Sequence, residues 1–192
     1  MRTNDAPTTP PRGNRVRPRR RLLLRPAVVV PVLVVGVVLT GVAASLFQPW
    51  KLWVDDQVHQ REPGMAGTAL RVLAAGRFTS HEHATSGTVR VLRLPDGSRV
   101  LRIDDLDTSN GPALHVWVTN APLLPGRQGW FVFDDGRHVD LGPLKGNIGD
   151  QNYPLPAGVD LDRLHSVTIW CERFTVSFGA AELTQRTGPA RL

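Results

Sequence analysis

The chain of 192 residues contains one cysteine, Cys171. This scarcity excludes an intrachain disulfide, a four-thiolate zinc site and a cysteine-ligated iron–sulfur cluster. The C-x-x-C-H attachment motif of c-type haem is absent as well. No G-x-S-x-G elbow occurs, and no glycine loop ends in G-K-[ST], so neither a serine hydrolase nor a nucleotide-binding loop is indicated. Methionine is limited to Met1 and Met65, and no histidine follows Cys171. A blue-copper centre would need both an axial thioether and a close downstream imidazole. Lysine is limited to Lys51 and Lys145, so arginine carries almost all the positive charge. That charge is unevenly placed: eight arginines precede residue 26, against Asp5 alone, while the net charge of the whole chain is +6. The remainder is therefore close to neutral. It lacks the basic footprint that a phosphate backbone demands, so no nucleic-acid partner is expected.

What the chain does have is one long uncharged run, Ala27–Phe47, of 21 residues. At helical rise it spans about 30 Å, the thickness of a bilayer hydrocarbon core. Pro31 falls in its first turns, where a missing N–H costs least. Trp50 and Trp53 follow it as interfacial anchors, and the arginines precede it. The positive-inside rule then places residues 1–26, a disordered basic arm, in the cytoplasm and everything after the helix outside. The alternative is a cleaved signal peptide ending near Val42-Ala43-Ala44-Ser45. A secretory apolar core is usually about 7–15 residues, shorter than this run, which favours an uncleaved single-pass anchor in the lipid bilayer.

After residue 50 no window sustains a helical apolar stripe. Residues 48–66 read as a membrane-proximal linker, residues 67–184 as one β domain, and 185–192 as a polar tail. Short apolar runs with turn signals between them mark strands at 71–78, 87–94, 99–104, 114–119, 130–133, 138–141 and 166–171, with the same period resuming from Phe174. Pro95-Asp96-Gly97-Ser98 is a hairpin turn, and Asp134-Asp135-Gly136 is expected to join a second hairpin. The fold class is all-β, a sandwich or barrel-like outer domain preceded by one transmembrane helix. The apolar phase slips by one residue at Glu172-Arg173, which predicts a bulge or bend beside Cys171.

Three features invite chemical readings. His81 and His83 would share a face if they lay in a strand, and His115 sits on the polar face of 114–119 with Trp117. Asp104–Gly111 looks calcium-like, but its glycine and terminal glutamate are misplaced for an EF-hand. Gly142–Pro154 is glycine-rich and reads as a structural loop with tight turns.

The stretches LGPLKGNIGDQNYPLPAGVDL and SVTIWCERFTVSFGAAEL, preceded in order by GRFTSHEHATSGTVRV and NGPALHVWVT, resemble the DM-thirteen domain, a Skeletor-type domain proposed to act in electron transfer. The resemblance covers about Gly67 to Leu183. It implies a compact β-rich domain in which Cys171 is the redox thiol, with His83, His115 and Trp170 as its candidate neighbours. A redox or protein partner at the cell surface is implied with it. No ligand motif supports haem or copper, and no metal site or enzyme class follows from the sequence. The competing reading is a non-enzymatic cell-surface interaction module in which Cys171 is buried and inert, the common fate of a free cysteine.

Overall fold

The computed structural model describes residues 26–64 and 70–185. Almost all of the basic arm, the domain start expected at Gly67 and all but the first residue of the expected tail lie outside the described residues. The apolar run forms one α-helix, α1 (Pro26–Phe47), long and apolar enough to cross a membrane. Its valines are poor helix formers in water. In lipid the helix is one of the few backbone forms that satisfies every peptide group internally. The Thr40 hydroxyl adds a back-bond to the Gly36 carbonyl at 2.8 Å.

The remainder is a two-sheet sandwich. Its strands are β1 (Gln57–His59), β2 (Arg71–Arg77), β3 (Thr79–Ser80), β4 (Ser86–Arg93), β5 (Arg99–Asp107), β6 (Leu114–Thr119), β7 (His138–Pro143), β8 (Ile148–Leu155), β9 (Ser166–Cys171), β10 (Val176–Glu182) and β11 (Thr184–Gln185). One sheet runs β1-β8-β5-β4-β2-β11 and the other β3-β10-β9-β6-β7. Val89, Val91, Leu101, Ile103 and Tyr153 from the first sheet meet Val116, Val118, Val167, Ile169 and Phe178 from the second in one core. Apolar alternation therefore decides which side of each strand faces inward.

The Pro95–Ser98 turn forms as expected. Leu94 N–H donates to the Ser98 carbonyl at 2.9 Å, and Asp96 accepts from both the amide and the hydroxyl of Ser98. Two expectations need correction. Residues 130–133 are not a strand: Arg127–Trp130 is a short 3-10 helix, and Phe133 is fully buried. Gly126 and Gly129 favour the turn, and β7 pairs with β6 instead. The glycine-rich loop expected at 142–154 contains β8, which pairs with β5 along most of its length. Inward-facing Gln151 breaks its apolar alternation and hides the strand. The bend expected at Glu172-Arg173 does form, as the β9–β10 hairpin turn, and a separate register irregularity lies further on, between Ser177 and Gly179.

The stretch expected to be a linker contributes β1, which pairs in parallel with β8. Asn147 and Asn110 hold it from the sandwich side. The Asp56 amide donates to Asn147 Oδ1 at 2.7 Å, and Asn110 Nδ2 donates to the Val54 carbonyl at 2.9 Å. Buried Arg102 adds a bond to the Gln60 carbonyl at 2.9 Å. Gly149, at φ +103, lets β1 approach: a Cβ there would run into the Val58 carbonyl.

Candidate functional site at the Cys171 end of the second sheet

Strand β9 alternates strictly. Val167, Ile169 and Cys171 face the main core, and Ser166, Thr168 and Trp170 face the other way. Cys171 closes the strand where the chain turns through Glu172–Thr175 into β10, opposite Leu114 of β6 and Val176 of β10. Its sulfur is fully buried and donates to the Pro112 carbonyl at 3.2 Å. Burial pushes the thiol above its ordinary pKa. The backbone amides of Phe174 and Arg173, from the turn, pull in the opposite direction without overcoming it, and the Glu82 carboxylate reinforces the rise. In the folded state the group is therefore a protonated thiol rather than the nucleophilic thiolate. The turn itself is strained, because Thr175, a β-branched residue, sits at φ 49.

The candidate neighbours fall in different places. Trp170 is next to Cys171 in sequence but on the opposite face of the sheet, where it stacks on Trp117 at a centroid distance of 5.2 Å. With Phe133, Ala121 and Ala180 these rings form a second, smaller core, partly covered by Leu123 and Val132. His138 stacks on Trp117 from outside at 4.0 Å. His83 lies in a bend rather than a strand, paired with Glu82, and its ring packs 3.9 Å from Phe178, a member of the same core as Cys171. Thr85 fixes this bend by donating to the Phe178 carbonyl at 3.0 Å. His81 bonds Ser177 Oγ at 2.8 Å, and Ser177 in turn bonds Thr168, so the two histidines of the HEH motif have separate partners.

His115 pairs across the ladder with Trp170, on the face away from the Cys171 sulfur. Its Nδ1 lies 2.9 Å from Asp140 Oδ2 and its Nε2 lies 3.7 Å from Glu172 Oε2. Among the described residues this is the one group of three metal-ligating side chains that converges, and Cys171 is not in it. The donor set around the sulfur therefore gives no support to a cysteine-ligated copper or haem site. Both carboxylates escape a sequence reading because they become neighbours of His115 only once β6 pairs with β7 and with β9.

A second polar cluster also stays hidden in the sequence. Tyr153 donates to Gln151 Oε1 at 2.7 Å, and Gln151 Nε2 donates to the Gly146 carbonyl at 2.6 Å. Burial pushes the Tyr153 hydroxyl up to about 12, so it acts as a hydrogen-bonding pin and not as an acid.

These features define a β-sandwich domain with a single sealed thiol at one end of a sheet, on a chain with one long apolar helix among its described residues. Residues 77–183, more than half of the chain, match the family described as electron transfer DM13. The chain belongs to that family. No curated protein and no solved structure matches it.

Proposed function

We propose that the protein is a membrane-held electron-transfer module. Its sandwich stands outside the cytoplasm, and Cys171 is the group that exchanges electrons with a redox partner there. The observation that carries this reading is the electron-transfer family match, whose limits enclose Cys171 and strands β3 to β10. The span of α1 supports anchoring, and the eight arginines ahead of it support an inward N-terminus. The Glu172–Thr175 turn is the natural gate, because strain at Thr175 favours its opening. Once it opens, the thiol loses the burial that keeps it protonated.

The complete burial of Cys171 and its bond to Pro112 favour a second reading, in which the thiol only packs and the domain is an interaction module. Voltammetry of the full chain in detergent separates the two. A reversible wave that disappears in Cys171→Ser and Cys171→Ala supports the redox reading. A wave unchanged in both variants assigns the electrons to another group. No wave, together with thiol labelling only after denaturation, supports the interaction module. Protease added to intact cells should digest the sandwich, and full protection would overturn the outer location.

A further inference from the structure

We propose that His115, Glu172 and Asp140 form a site for a divalent first-row cation on the outward face of the second sheet. The site does not depend on the electron-transfer reading. The three donors come from three neighbouring elements: β6, the turn that follows β9, and β7. One ligand atom from each lies within 4.8 Å of the others. The roles divide by chemistry. A carboxylate can only accept, so the 2.9 Å bond to Asp140 Oδ2 places the proton of a neutral His115 on Nδ1. That leaves the Nε2 lone pair facing Glu172. The arrangement is that of a carboxylate–histidine–metal triad, in which the outer carboxylate fixes the tautomer and the ring orientation.

Asp140 is itself held, since its other oxygen accepts the Gly142 amide at 2.8 Å. Asp140 stands opposite Trp117 in the β6–β7 ladder, next to the register irregularity between His115 and Trp117. The 3.7 Å between Nε2 and Glu172 Oε2 is too long for a hydrogen bond. Two metal–ligand bonds of about 2.0–2.2 Å bring adjacent donors to roughly 3–3.5 Å, so a few tenths of an ångström of side-chain movement seats an ion. With the imidazole neutral, as a ligand must be, two carboxylates supply two negative charges for a divalent ion. One imidazole and one carboxylate oxygen in the first sphere suit zinc or manganese better than a soft copper(I) ion. The side chains of Asp140 and Glu172 are 39% and 44% exposed, which leaves the remaining coordination positions to water. Glu172 directly follows Cys171, so an ion held there also pins the first residue of the turn over the thiol.

The test is calorimetric titration of the full-length, tag-free chain in detergent with Zn2+, alongside thermal melts. The expected result is one saturable site and a rise in Tm with Zn2+ concentration. His115→Ala should abolish both, Glu172→Gln should weaken binding at least about tenfold, and Asp140→Asn should weaken it about 10–100-fold. His59→Ala, on a different sheet, should leave both unchanged. Equal binding by the wild type and His115→Ala would overturn the site, as would no heat and no Tm shift in a wild-type chain whose circular dichroism shows it folded.

Discussion

The sulfur of Cys171 and the carbonyl of Pro112 meet at 3.2 Å, joining the last residue of β9 to the loop that leads into β6. The contact seals the thiol in the core and satisfies a carbonyl that would otherwise be buried without a donor. Cys171→Ala removes both the sulfur volume and the donor. The expected cost is about 1–3 kcal/mol in urea unfolding, the range for a buried group left unsatisfied. An Ala variant as stable as the wild type would show that the bond contributes nothing.

Asp104 gives a pH dependence of known sign. It accepts from Arg90 Nε at 2.8 Å and Nη2 at 3.0 Å, and from Arg102 Nε. Burial raises its pKa, but the hydrogen bonds and charges of the two arginines outweigh burial and hold the carboxyl below its ordinary value. A carboxyl depressed on folding contributes stability above its unfolded pKa of about 3.9 and loses it as the pH falls through the folded value. Unfolding free energies of the wild type and Asp104→Asn should therefore differ above about pH 4 and converge below it. At neutral pH the difference should be roughly 1.5–3 kcal/mol, the range for hydrogen bonds to a charged group, since Arg102 keeps its bonds to Gln60 and Asn152. Parallel pH curves would remove Asp104 as the source.

Gly149→Ala should detach β1. The residue sits at φ +103, and its added methyl would collide with the Val58 carbonyl. A loss of more than about 1 kcal/mol is expected, with faster proteolysis between residues 54 and 62. Unchanged cleavage would show that the pairing tolerates the methyl group.

The two stacked indoles should respond differently to truncation. Trp117 Nε1 is buried without a hydrogen-bond partner, so Trp117→Phe removes an unmet donor along with some area, and the net change should stay within about 1 kcal/mol. Trp170 is among the largest fully buried side chains, and Trp170→Ala should cost about 3–5 kcal/mol. Chemical denaturation of the two variants gives the comparison, and equal losses would contradict it.

Local periodicity made much of this architecture legible. Residues 114–119 and 166–171 alternate so clearly that β6 and β9 occupy those spans, and the uncharged run is α1 to within one residue. The resemblance around Trp170-Cys171 led to the family. Long-range pairing was not legible. Strand β8 carries Gln151 on its inner face, where a polar side chain is satisfied by Tyr153 and Gly146 only after folding. The apolar character of Phe131 and Phe133 suggested a strand, yet Phe133 packs on Trp170 across a sheet face that the sequence does not identify. His115 could be singled out as a polar-face residue, whereas Asp140 and Glu172 become its partners only through the β6–β7 and β6–β9 registers.

The short β1 has a consequence for colloidal behaviour. It covers Ile148–Asp150 of β8, and just past it Gln60 Oε1 accepts the Asn152 amide while Lys145 Nζ caps the Asn152 carbonyl. The opposite flank of that sheet ends in the two-residue β11, and the other sheet ends in the two-residue β3 and the irregular β7. Among the described residues each sheet thus ends in a short or irregular strand, which limits the regular backbone a neighbouring copy could use to template strand addition. Molecules packed densely side by side should therefore stay dispersed instead of zipping into fibres.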